Sequence, residues 1–235
     1  MSAFDVLPYS WEEFSGRVRL FPLPNLVLFP HVMQPLHVFE QRYRELLEDA
    51  LAGDQLIAMA ALAPGWERNY EGRPELYPMA CLGRIAAHYR LSDGTYNVLL
   101  LGLRRVKLVR ELTASRRFRE AKVELCTDVY SACSSARRCA LQQELRKTLL
   151  QVLPTLPDAR EQLDQLLGND VPLGFLTDVV SYMLDIDLQC KQSLLAEVHV
   201  YRRVQLLLCY LSESVAELSA NDAPTLGFPP QFSRN

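Results

Sequence analysis

No stretch of this chain approaches the roughly 20 consecutive apolar residues that a membrane-spanning helix needs. Its opening, MSAFDVLPYSWEEF, lacks the basic and apolar regions of a secretory leader, so a cytoplasmic setting is expected. Charge of one sign is also missing. The net charge of −3 gives no global attraction to nucleic acid or to an anionic membrane. There is no G-x-x-x-x-G-K-[ST] loop to cradle phosphates, no H-x-x-x-H or H-E-x-x-H to hold zinc, and no G-x-S-x-G elbow for a nucleophile. The expectation is a protein without catalytic residues, metal or cofactor. Six cysteines, at positions 81, 126, 133, 139, 190 and 209, make an even count. A chain with 49% hydrophobic residues needs no disulfide framework, and the gaps between Cys126, Cys133 and Cys139 match no common zinc ribbon. They read as reduced, buried thiols.

What is present falls into two halves. Up to about residue 125 the signals are β: Leu26–Phe29, Gln55–Ala61, Met79–Tyr89, Thr95–Leu101, Arg104–Glu111 and Phe118–Leu125, with a hairpin turn at Ser92-Asp93-Gly94. The most apolar stretch, LFPLPNLVLFPHVMQPLHV, is broken by Pro22, Pro24, Pro30 and Pro35. Proline cannot donate to a ladder, so each of these must sit at a strand end, an edge or a bulge. Short, sharply turning strands of that kind suit a small barrel. Phe39, Tyr43, Leu46, Leu47 and Ala50 fall on one face of a helix over Phe39–Leu51 that plugs or flanks the barrel and stops at Gly53. On its wet face Glu40–Arg44 and Arg44–Glu48 are spaced for ion pairs.

From Cys126 onward the period is helical. Ser134 or Ser135 can cap a helix reaching Val152, Asp158 a short second one, and Asp170 one running through Leu184. Another follows Asp187. The last carries Val204, Leu207, Leu208, Leu211, Val215 and Leu218 in a near-heptad seam, which fits packing inside the bundle or pairing with a second copy. The final SANDAPTLGFPPQFSRN has the composition of a flexible tail. The expected class is α+β, divided into an N-terminal arm (1–16), a β-barrel (17–125), an all-α bundle (126–219) and a tail (220–235).

The order of these elements, with LFPLPNLVLFPHVMQPLHVFEQRYRELL (20–47), CLGRIA (81–86), SDGTYNVLLLGLRRVKL (92–108) and GFLTDVVSYMLDIDLQCKQSLLAEVHVYRRVQLLL (174–208), resembles the Lon N-terminal, substrate-binding domain family. The resemblance implies a PUA-like β-barrel followed by a helical bundle. It also implies a stand-alone domain without the ATPase and serine–lysine peptidase modules, and a role in recognising polypeptide. Pro30, His37, Glu40 and Arg44 are the positions most specific to that pattern, with Glu40 and Arg44 expected to orient the helix.

Two binding surfaces follow. Around Phe29 and Pro30, a proline-broken barrel edge can add an extended peptide as a strand, with apolar side chains nearby to hold hydrophobic segments. The alternative is RNA or a small ligand on the basic run Arg104, Arg105, Lys107, Arg110, Arg116, Arg117, Arg119 and Lys122, where only Phe118 interleaves as a stacking aromatic. The partners expected are unfolded or hydrophobic polypeptide segments, and also a protein partner or an ATPase acting in trans. Nucleic acid and membrane are not expected, and the chain is read as a monomer or weak homodimer.

Overall fold

The computed structural model describes residues 11–70, 72–113, 116–131, 135–152, 171–220 and 233–234. Seven strands form one sheet: β1 (Arg17–Leu23), β2 (Met33–Val38), β3 (Leu56–Leu62), β4 (Leu76–Arg90), β5 (Tyr96–Glu111), β6 (Arg119–Cys126) and β7 (Ser233–Arg234). Their order is β4-β3-β1-β6-β5-β2-β7, and β4 also pairs with β5. That extra pairing closes β4, β3, β1, β6 and β5 into a ring, with β2 and β7 carried outside it on β5.

The ring interior is narrow and is filled by alternate residues: Val18 and Leu20 of β1, Leu56, Ala58 and Ala60 of β3, Ala80 and Leu82 of β4, Val106 of β5, and Ala121 and Val123 of β6. Four alanines among these ten fit a small lumen that side chains alone must fill. The other face of β1 and β3 packs beneath the helix α1 (Gln41–Leu51), so all seven residues of β3 are buried. Tyr43 fixes that helix: its ring stacks on Phe21 at 4.2 Å and its hydroxyl donates to the Pro22 carbonyl at 2.9 Å.

Two of the prolines flank a coil and two lie in strands, Pro22 opposite Ala60 of β3 and Pro35 opposite Leu99 of β5. Pro22 lies beyond the last β1–β6 pair, Leu20↔Arg119; Pro24 and Pro30 flank a coil; and Pro35 sits in β2 outside the closed ring. The expected strand Leu26–Phe29 is that coil, while β1 and β2, which contain Pro22 and Pro35, were not anticipated as strands. The expected strands Thr95–Leu101 and Arg104–Glu111 are one strand, β5. Gly102 between them makes no turn. It lets the coil approach, because a Cβ there would lie 2.0 Å from the Phe29 carbonyl oxygen. His31 N–H donates to the Gly102 carbonyl and Gly102 N–H to that of Val32, both at 2.8 Å.

Helix α1 starts at Gln41, not Phe39, because Glu40 is extended (φ −63°, ψ 136°) at the cap. The expected Glu40–Arg44 and Arg44–Glu48 pairs are not formed. Glu40 accepts from Arg42 and the Tyr70 hydroxyl, Glu48 from the Tyr96 hydroxyl, and Arg44 reaches the Gly94 carbonyl at 3.4 Å. Among the thiols, Cys81 is buried as expected, but Cys139 and Cys209 are exposed and Cys126 and Cys190 half-buried. Cys133 lies outside the described residues.

The helices α2 (Ser135–Val152), α3 (Leu173–Met183), α4 (Leu188–Ala196) and α5 (Val200–Ala220) follow. Pro172 occupies the cap of α3, while Asp158 and Asp170 lie outside the described residues. Val204, Leu207 and Leu211 of α5 are fully buried within the chain.

Ring and helices meet at a buried ion cluster. Arg105 of β5 makes a two-pronged pair with Asp178 of α3 and donates to the Leu195 carbonyl at 2.9 Å. Arg203 of α5 clasps Asp128 at 2.6 and 3.0 Å, donates to Thr177 Oγ1 at 3.1 Å, and lies 3.5 Å from Asp178. Burial alone would lower the Arg105 pKa, but the Asp178 and Asp128 carboxylates outweigh it and hold the guanidinium more firmly charged than usual. Gly174 makes room for this: a Cβ there would lie 2.4 Å from Asp128 Oδ2. Replacing Asp178 by Asn leaves two buried guanidinium groups sharing the one carboxylate of Asp128. Chemical denaturation is expected to show a loss of about 3–5 kcal/mol. A loss under about 1 kcal/mol, the level of a surface pair, would contradict the cluster's role in joining the layers.

Candidate functional site

Beyond the ring, the far ends of β4 and β5 continue as a hairpin turned by Gly94 at φ +82°, where Asp93 accepts from the backbone and hydroxyl of Thr95. Strand β2 adds to the outer side of β5, giving a twisted ribbon. One face of the ribbon is core: Leu36 and Val38 of β2, Val98 and Leu100 of β5, and Ile85 of β4 join the cluster that α1 closes. Gln34 on this side accepts from the Tyr182 hydroxyl of α3 at 2.9 Å, tying β2 to the helices.

The opposite face is unusual for a wet one. Register places Met33 beside Leu101 and Arg84, Pro35 beside Leu99 and Ala87, and His37 beside Asn97 and Tyr89. Phe39 follows at the end of β2. Met33 is 49% exposed, Phe39 45% and Tyr89 68%, with Leu99 and Leu101 half-buried between them. A solvated strand alternates apolar with charged residues, whereas here apolar side chains run across three strands, interrupted by Arg84 and the His37–Asn97 pair. His37 Nδ1 lies 2.9 Å from Asn97 Oδ1, and its ring stacks beside Phe39. Exposed apolar side chains gathered in this way make a candidate docking surface. It adjoins the edge of β2, whose only further neighbour among the described residues is the two-residue β7.

The residues singled out from the sequence divide between places. His37 is on the apolar face. Phe29 is fully buried, its side chain in the core because the coil is pressed onto Gly102, and it is not a surface residue. Glu40 and Arg44 stand at the start of α1. Pro30, Arg104 and Arg105 meet His31, Asp128 and Asp178 around a second feature, a cleft of about 220 Å³ at the junction of ring and helices. That is below the roughly 300–1,000 Å³ of ordinary ligand pockets, and Arg105 is already saturated by Asp178. Four further arginines of the basic run are likewise engaged: Arg104 lies over the Trp11 ring, Arg116 pairs with Asp49, Arg117 with Glu45 and Arg119 with Glu111. Each such surface pair contributes little stability, but together they offset the positive field that phosphate binding needs. Met33, Pro35, Tyr89, Leu99 and Leu101 were missed. Their signal was that β2 and β5 are apolar at both parities, which reads as a strand buried on two faces.

His31, on the cleft wall, holds a left-handed backbone (φ +69°) and packs against Phe175 at 5.2 Å between ring centres. Desolvation at the cleft wall pushes its pKa below the ordinary histidine value, although the residue as a whole is exposed. Asp178 and Asp128 oppose that shift, and Arg105 and Arg203 add to it. A depressed folded pKa means that the unfolded chain binds the proton first. Stability is therefore whole above the ordinary value of about 6.5 and falls as pH drops below it. His31→Asn keeps a residue type that tolerates positive φ and removes the titration. Its stability measured between about pH 7 and pH 5 should fall less steeply than that of the wild type, and equal slopes would contradict the assignment.

Among the described residues no helix is long and apolar enough to cross a membrane. The family model of the ATP-dependent protease La (LON) substrate-binding domain matches residues 17–213. The chain is 28% identical over 197 residues to Lon protease 2 of Myxococcus xanthus, and 29% identical over 198 residues to Lon protease 2 of Desulfotalea psychrophila. It covers 84% and 80% of itself in these matches but only 24% of each relative. The chain thus aligns with about a quarter of their length. In fold it is similar to the N-terminal domain of the Mycobacterium avium complex Lon protease, with TM-score 0.66, 19% identity, and coverage of 84% of this chain and 98% of that one. It is also similar to a Lon N-terminal domain protein from Xanthomonas campestris, with TM-score 0.60, 22% identity, and coverage of 83% and 98%. The part of the relatives that is matched is the substrate-binding module and not the ATPase or peptidase, and the chain belongs to the Lon substrate-binding domain family.

Proposed function

We propose that this protein is a non-catalytic, cytoplasmic binding module, built on a PUA-like barrel, that recognises exposed hydrophobic segments of unfolded polypeptide. The observation that carries this reading is the apolar outer face of Met33, Phe39, Tyr89, Leu99 and Leu101 lying beside the edge of β2. An extended segment added along β2 gains main-chain hydrogen bonds from the edge. Its side chains on the same side meet the apolar face, which gives preference for hydrophobic sequence without demanding one motif. Affinity should be micromolar or weaker, because ordering a flexible chain opposes binding. The engagement of Arg104, Arg105, Arg116, Arg117 and Arg119 within the fold favours this reading over RNA at the basic run.

Fluorescence anisotropy with a labelled unfolded polypeptide, reduced carboxymethylated α-lactalbumin, tests the proposal. The triple variant Met33→Ser, Phe39→Ser, Tyr89→Ser should bind about tenfold or more weakly. Wild-type affinity should change little between about 50 and 500 mM salt, and the charge reversals Arg110→Glu and Lys122→Glu should leave it intact. A folded triple variant that binds like the wild type would overturn the reading, as would binding that collapses with salt.

A further inference from the structure

The β2 edge is already in use by the chain itself. Ser233 and Arg234 form β7, which pairs parallel to β2 with Leu36 opposite Ser233 and His37 opposite Arg234. Those positions lie in the second half of β2, where the row His37–Asn97–Tyr89 crosses the apolar face. The tail, whose composition reads as loose, is thereby tied at one point to the feature that the proposed function assigns to clients. We propose that the Ser233–Arg234 segment is a resident strand that competes with client polypeptide for the β2 edge, so that a client must displace it and add in the same parallel sense.

The physics makes the resident displaceable. Two residues of parallel pairing form a much shorter ladder than a client running along the six residues of β2 could make. What keeps so short a strand in place is attachment. Residues 221–232 join it in sequence to the end of α5, so its pairing is intramolecular, and a covalent tether of about a dozen residues gives an effective concentration on the order of millimolar. A weak intramolecular competitor at that concentration lowers apparent client affinity by the fraction of time that it holds the edge. It also covers an edge that would otherwise invite pairing between molecules.

This inference rests on the proposed client site, and the test separates the two. In the full-length chain, Ser233→Pro and Arg234→Pro together remove both backbone donors of β7 and leave the barrel untouched. Hydrogen exchange without any client is expected to be faster in the variant at those amides of Leu36–Val38 that face β7, and unchanged at the intervening ones that face β5. Anisotropy with reduced carboxymethylated α-lactalbumin is expected to show about two- to tenfold tighter binding. If exchange and affinity are both unchanged while the wild type still binds, the resident strand is overturned and the client site stands. If exchange quickens but neither protein binds polypeptide, the client reading falls, and the competition falls with it.

Discussion

Two arginines and two aspartates, drawn from a strand, a linker and two helices, meet where the ring touches the helical layer, and the rest of the molecule is arranged around that meeting. Arg105 reaches out of β5, Asp128 sits just past the last ring strand, and Asp178 and Arg203 come from α3 and α5. Taking four charges out of water is costly, and an apolar contact of the same size would be as stabilising or more so. The contribution of the cluster is therefore positional. Any other docking of the helices strands a charge, so α3 has one place, and Tyr182 on α3 then reaches Gln34 and steadies the inner side of β2.

A second constraint works from the opposite side. The coil before β2 must pass over β5 at Gly102 with no room for a side chain, and its paired hydrogen bonds there set where β2 begins. Between the coil and the helices, β2 is held as a strand outside the ring with one face in the core and the other in water. An outlying strand with an apolar wet face is a liability in a soluble protein unless something covers it. The proposed strand addition would use both the edge and the face. Five arginines of the basic run are engaged within the fold: Arg104 by Trp11, Arg105 by α3, Arg116 and Arg117 by α1, and Arg119 by Glu111 of β5.

Much of the architecture was legible in the sequence. The change from β to helical periodicity and the hairpin at Gly94 follow from local rules and hold in the structure. Long-range packing hid the rest. Gly102 looked like a strand break because its purpose, the approach of Phe29, depends on residues far away along the chain. Arg105 looked like part of a basic surface because Asp178, its partner, is 73 residues distant. The apolar face was invisible for a similar reason: Met33, Tyr89 and Leu99 are unremarkable singly, and only register between three strands makes them neighbours. Phe29, singled out from the sequence, belongs to the core.

Unfolded polypeptide is proposed to lie against the outer face of β2, β5 and β4, and site-specific photocrosslinking reads that contact directly. A benzophenone-bearing residue placed at Ala87, in the row with Leu99 and Pro35, is compared with one at Lys122 on the ring. Irradiation with reduced carboxymethylated α-lactalbumin should yield adducts from position 87 and none above background from 122. Equal labelling from both, or adducts from 122 alone, would contradict the account.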